Sequence, residues 1–134
     1  GVLEVTGLSG RQAAELSEID AAERELGVRL PEDYRAFLQQ SDGLEGFAGP
    51  NAYLMLWSAK ELLELNTAYS VAEFAPGLVL IGTDGGDTGY GFVEGPGTNR
   101  YVQVPLVGMS RDAAQVIGRT LVEMVTRLRG GHPA

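Results

Sequence analysis

The sequence predicts an α+β protein in which a largely antiparallel sheet of about four strands is flanked by helices, in the order α-α-β-α-β-β-β-α. Three observations carry that prediction. Residues 17–43 and 58–72 hold apolar positions at helical spacing between capping signals. Residues 78–93 hold two short β-rich runs around an Asp-Gly-Gly-Asp turn. A further β-rich run ends at Pro105 and is followed by a last helical period. The length, 134 residues, fits one domain over 1–134, with 1–16 and 130–134 peripheral.

In order, Val2, Leu3 and Val5 hint at a short strand, and Leu8 to Gly10 at a turn. Ser17 with Asp20 resembles a capping box, and Ile19, Ala22 and Leu26 share a helical face, which predicts a helix from Glu18 to Leu26. Gly27 suits the left-handed position that closes it. Pro31 fits the first position of a second helix, where Glu32 and Asp33 meet the positive end of the dipole. Tyr34, Phe37 and Leu38 form its apolar face, and Ser41-Asp42-Gly43 ends it.

Leu44 to Asn51 reads as a glycine-containing loop, and Tyr53 to Trp57 as a strand. Ser58-Ala59-Lys60-Glu61 is a full capping box, and its helix should run to between Ser70 and Ala72. Leu78–Ile81 and Tyr90–Val93 form a hairpin across residues 83–88. If Thr83 faces Thr88, Ile81 faces Tyr90, Val79 faces Phe92, Gly82 faces Gly89 and Leu80 faces Gly91. One face is then bulky and the other nearly bare, open to a close approach from the chain itself or from a ligand. Glu94 to Asn99 is loop, and Tyr101–Val104 is strand. A final helix capped at Ser110 or Asp112 should turn Ala114, Ile117, Leu121, Met124, Val125 and Leu128 inward and close at Gly130-Gly131.

Composition narrows the function. A formal charge of −8 with one lysine argues against a nucleic-acid partner, since phosphate contacts need clustered cations. The acidity is uneven: ten acids face four arginines in residues 1–50, six face two cations in 51–110, and two face four in 111–134. Such a field favours a basic partner, and it also serves plain solubility. The absence of cysteine excludes disulfides and thiolate metal sites and fits a cytoplasmic setting. No apolar run approaches the ~20 residues of a membrane span.

No catalytic constellation is visible. The single histidine, His132, lies near the end of the sequence, which leaves no histidine for a triad or a metal cluster elsewhere. The glycine-rich run Gly82–Gly91 lacks the lysine of a phosphate loop, carries two aspartates and leads into a strand. Asp84 and Asp87 lack the ligand alternation of a calcium loop. Neither a cofactor nor a metal is therefore expected. Trp57, Tyr53, Tyr90 and Tyr101 are candidate partner anchors, with core packing as their ordinary alternative.

The runs IDAAERELGVRLPEDYRAFLQQSDGL, LVLIGTDGGDTGYGFV and VQVPLVGMS, in this order ahead of a closing helix, resemble the SUKH superfamily of Smi and Knr-like proteins over about residues 17 to 128. Two departures stand out: Gly85-Gly86-Asp87 replaces three consecutive glycines of many relatives, and the first sixteen residues match nothing in the pattern. The resemblance implies a non-catalytic protein-binding domain. In bacterial relatives this is an immunity protein that neutralises a contact-delivered toxin, often a nuclease; in fungal relatives it is a regulatory scaffold. A small-molecule binder or hydrolase using a pocket beside the bare hairpin face is the third reading. On the immunity reading, Asp42, Glu45, Asp84 and Asp87 are electrostatic guides, and Trp57 and Tyr90 are anchors.

Overall fold

The computed structural model describes residues 1–50, 52–93 and 100–130. Asn51, the loop expected at Glu94–Asn99, and residues 131–134, which include Gly131 and His132, lie outside the described residues.

The chain opens with a helix, α1 (Val2–Thr6), where a strand was expected. Its bonds close locally: the Val5 N–H donates to the Gly1 carbonyl, and the Gly7 N–H to Leu3. Helix α2 (Leu16–Leu26) starts two residues before the predicted Glu18. The acid that reaches back is Glu18, whose Oε1 accepts from the Glu15 N–H at 3.1 Å; Ser17 is not the cap. That hydrogen bond, with Lys60 3.2 Å away, holds the Glu18 carboxyl below its ordinary pKa. Gly27 closes α2 at φ 72°, as expected of a residue in the left-handed region.

Glu23 explains the sharp joint that follows. One of its carboxylate oxygens accepts from the Leu30 N–H at 2.7 Å, and the other pairs with Arg35 Nη1 at 2.5 Å. Helix α3 (Glu32–Leu38) is thereby pinned against α2, with Pro31 at its cap position. Tyr34, Phe37 and Leu38 are buried as the spacing predicted. The Tyr34 hydroxyl donates to the Trp57 carbonyl at 2.9 Å, so burial carries no lost hydrogen bond.

Among the described residues the sheet is antiparallel and has six strands instead of about four, in the order β1 (Leu44–Phe47), β2 (Tyr53–Leu56), β3 (Leu78–Thr83), β4 (Thr88–Val93), β5 (Arg100–Pro105) and β6 (Gln115–Gly118). Both additional strands replace other expectations. Residues 44–47, expected as loop, pair with β2 from Leu44↔Leu56 to Phe47↔Tyr53. Residues 115–118, expected inside the last helix, pair with β5. Helix α6 (Leu121–Leu128) begins only at Thr120, whose hydroxyl accepts from the Glu123 N–H at 3.0 Å. Ser110 instead bonds the Ala113 N–H within a turn. Between the capping box of α4 (Ala59–Ala68) and β3, the predicted helix breaks at Ser70, which sits at φ 53°, and a short α5 (Val71–Phe74) follows.

The hairpin register is half as expected. Val79↔Phe92 and Leu80↔Gly91 hold, but a bulge at Ile81 shifts the rest, so that Gly82 faces Tyr90 and Thr83 faces Gly89. Counting from the turn assumed a continuous ladder. The extra residue directs its carbonyl to β2, where it accepts from the Trp57 N–H at 2.8 Å. Beyond Leu56, Asn66 of α4 takes over the outer edge of β3. Its Oδ1 accepts from the Leu80 N–H at 2.8 Å, and its Nδ2 donates to the Leu80 carbonyl at 2.9 Å.

The register also sorts the two faces. Val79, Tyr90, Phe92, Tyr101 and Gln103 point to the helical side. There Asp33 joins three elements: Oδ1 accepts from the Tyr101 hydroxyl at 2.5 Å and Oδ2 from the Leu121 N–H at 2.7 Å. On the opposite face lie Leu80, Gly89, Gly91, Val102 and Val104. A Cβ on Gly89 would sit 2.8 Å from Leu106 Cδ2 and 3.0 Å from Leu80 Cδ2. The chain's own Leu106 thus fills the bare face that was expected to admit a helix or a ligand.

Candidate partner-binding face

Following that second face toward β1 leads from Val104 and Gly89 through Thr83 and Met55 to Glu45, a row fixed by the pairings. At the β1–β2 end the cover stops. Phe47 is 62 % exposed and meets Tyr53 edge to face, ring centroids 5.1 Å apart. The Tyr53 hydroxyl donates to the Glu45 carboxylate, and this bond raises the tyrosine pKa. Arg11 Nη2 stands 3.7 Å from the other Glu45 oxygen, a weak exposed pair.

The hairpin tip leans over the same patch. A Cβ on Gly85 would lie 3.1 Å from the Tyr53 ring and 3.8 Å from Met55 Sδ. Asp84 shapes this tip: its Oδ1 accepts from the N–H groups of Gly86 at 2.8 Å and Thr88 at 3.2 Å. Asp87 is exposed, and its carbonyl accepts from the Leu106 N–H at 2.8 Å.

Of the six sequence-predicted site residues, Glu45 lies on this patch, and Asp84 and Asp87 belong to the hairpin tip whose Gly85 meets it. The other three lie within the packing. Asp42 Oδ1 accepts from the Ala59 N–H at 2.8 Å and ties the end of α3 to the start of α4. Trp57 is buried and stacks on Tyr69, rings 6.2 Å apart and 7° from parallel. Tyr90 is buried on the helical side, where burial and then the charge of Asp84 push its pKa up to about 12. Sequence reasoning missed Phe47 altogether. The available signal was the alternation in Leu44-Glu45-Gly46-Phe47, hidden by the two glycines nearby.

A separate groove of about 500 Å³ lies between α2, α4, α5 and the start of β3, lined by Leu26, Val28, Leu63, Val71 and Leu78. The side-chain amide of Asn66 on its wall is committed to Leu62 and Leu80. Among the described residues no group of three or more His, Asp or Glu is placed to hold a metal ion. Nor is any described helix long and apolar enough to cross a membrane.

Two comparisons place these features. The protein named "Uncharacterized protein YnaB" of Bacillus subtilis (strain 168) is 38% identical over 72 residues, which are 54% of this chain and 45% of that protein. The chain thus spans less than half the length of that curated relative. The family model of the SMI1 / KNR4 family (SUKH-1) matches residues 13–127, from the lead into α2 to the last turn of α6. The matched span takes in the Glu23-centred joint, the glycine-bearing hairpin and every strand of the sheet, and the chain belongs to the SMI1 / KNR4 family (SUKH-1).

Proposed function

We propose that this chain is a non-catalytic protein-binding domain, an immunity protein that binds and neutralises a contact-delivered toxin whose toxic domain is basic, such as a nuclease. Family membership supports a binding role, and the open β1–β2 face is the observation that carries it. Exposed Phe47 and half-buried Tyr53 beside Glu45, with the acidic hairpin tip at Asp84 and Asp87 next in reach through Gly85, supply anchors and a guiding field. The formal charge of −8 favours encounter with a basic protein and disfavours a nucleic-acid partner. The working compartment under this reading is the cytoplasm, where the toxin would act.

Co-expression with the product of an adjacent toxin-like gene tests the proposal. The expected result is restored growth together with a stable complex whose association rate falls as salt rises. Failure of every such candidate to bind or be neutralised overturns it. Recovery of an endogenous regulatory protein instead, in cells without such a gene, would assign the chain to the scaffold branch of the family.

A further inference from the structure

One of the two edge strands of the sheet, β1, offers more than its face. Antiparallel ladders alternate: neighbouring residues direct their backbone groups to opposite sides of the strand. The Trp57 N–H bonds the Ile81 carbonyl, so Met55 and Trp57 direct their groups to β3 and Leu54 and Leu56 direct theirs to β1. The Ala48 N–H to Ala52 carbonyl bond, 2.7 Å, continues that ladder. Leu44, Gly46 and Ala48 are therefore turned inward, and the N–H and C=O groups of Glu45 and Phe47 point off the edge of the sheet. Among the described residues no backbone hydrogen bond joins those groups to another segment.

Exposed edges in soluble proteins are usually guarded by charged side chains, lysine above all, by proline or by a covering segment. The one charge on β1 is Glu45, which a basic segment would neutralise. Strand β1 carries neither lysine nor proline, and beyond Leu56 the outer edge of β3 shows the contrast, since Asn66 covers it. Glu45 and Phe47 also place their side chains on the open face beside Tyr53. Between them, Gly46 turns to the other face, where a Cβ would lie 2.7 Å from Leu8 Cδ2. An incoming strand thus meets two open positions on one face and a tight one between them.

We propose that β1 is completed by an extended, basic segment of the protein partner, added as a seventh antiparallel strand. The proposal rests on the reading of this chain as a protein-binding domain and names how it binds. Antiparallel pairing sets the order within the segment. The residue opposite Phe47 comes first and is an arginine or a large apolar side chain that packs on the Phe47 and Tyr53 rings. A small residue then passes over Gly46, and a lysine or arginine follows opposite Glu45. Main-chain bonds to Glu45 and Phe47 supply affinity, and the alternate side chains supply choice of partner.

The probe is a short synthetic peptide centred on Phe-Ala-Arg, titrated at low salt into the isotope-labelled protein and followed by backbone amide spectra and amide exchange. The expected result is perturbation centred on Glu45 to Phe47, with slowed exchange at both amides. Methylating the peptide nitrogens that would face the edge should weaken binding by about tenfold, the worth of one or two hydrogen bonds. Replacing the arginine by glutamate should weaken it by about fivefold, the scale of an exposed charge pair, and Glu45→Lys should reverse that preference. Perturbations elsewhere, no binding at millimolar peptide, or indifference to backbone methylation would overturn strand addition. The two readings fail separately. A neutralised toxin whose complex leaves the Glu45 and Phe47 amides exchanging freely overturns this inference alone. Strand addition by the peptide in a chain that neutralises no toxin overturns the immunity reading alone.

Discussion

One face of one sheet is finished in two different ways. Across β3 to β5 it is closed from within, because Gly89 leaves space that Leu106 enters and Gly91 lets the β3 backbone at Val79 come close. Across β1 and β2 the same face carries Glu45, Phe47, Tyr53 and Met55 and is met by the hairpin tip at Gly85 and the exposed Arg11 side chain beside Glu45. The strands are continuous between the two ends, so the difference is one of side chains. Small residues mark where the protein packs on itself, and exposed aromatics mark where it has left room for something else.

The strongest way to break the closed end is to fill its space. A Cβ on Gly91 would stand 2.2 Å from the Val79 carbonyl oxygen, a backbone atom that cannot rotate away. Gly91→Val is expected to cost more than about 3 kcal/mol, beyond ordinary overpacking, and to leave little folded protein by circular dichroism at 25 °C. Next comes the edge that the protein covers for itself. Asn66→Leu keeps the volume but strips the Leu80 N–H and C=O of their partners. A loss of about 3 kcal/mol is expected in denaturant unfolding, from two buried groups left unpaired. An unchanged midpoint would show that water reaches this edge as it reaches β1.

Much of the closed architecture was legible because its causes are local. Ser58 and Glu61 cap each other within one turn, with the Ser58 N–H to Glu61 Oε1 bond at 2.9 Å. Gly27 adopts the left-handed backbone that a helix end requires, and Tyr34, Phe37 and Leu38 are buried as their spacing dictates. What escaped the sequence depends on partners distant in the chain. Strand β1 exists because β2 returns beside it, and β6 because β5 offers an edge that Val116 and Gln115 fit. Ala114, Ile117 and Leu121 happen to keep helical spacing through β6, so periodicity alone misassigned it. The Thr120-Leu121-Val122-Glu123 capping signal marked the true start of α6 and could have corrected this. Within the candidate site the acids of the hairpin tip were readable as turn residues, whereas Phe47 became visible only once its strand was known.

Leu106→Ala would sharpen the contrast at moderate cost. It should lose about 1–3 kcal/mol, since a partly buried leucine leaves a cavity over Gly89 that the glycine cannot fill. Thermal unfolding measures this, and a cost near zero would mean that the closed end is closed by β-strand pairing alone. A smaller effect separates two tyrosines. Tyr90, behind the sheet, has its pKa raised to about 12 chiefly by burial, against an ordinary value of 10. The unfolded chain therefore ionises first, and the contribution of neutral Tyr90 to stability is fully present below pH 10 and lost as pH rises toward 12. Tyr90→Phe should flatten part of that alkaline decline. Tyr53→Phe on the open face should alter it less, since the Tyr53 shift comes first from an exposed hydrogen bond to Glu45.

The smallest change in stability should come from the most exposed ring. Phe47→Ser removes an aromatic that is 62 % exposed and whose main neighbour is Tyr53, so unfolding free energy should move by no more than about 0.5 kcal/mol. Function should move in the opposite proportion. Under the proposed docking mode the same substitution removes the packing surface for an added strand and should reduce partner or peptide affinity by more than about tenfold, the scale of an interface hot spot. A paired measurement of melting and binding decides the matter. If Phe47→Ser destabilises the fold as much as Leu106→Ala, the ring is part of the core and the two ends of the face are alike. If it leaves both quantities unchanged, the exposed pair anchors nothing, and the partner must be sought at another surface.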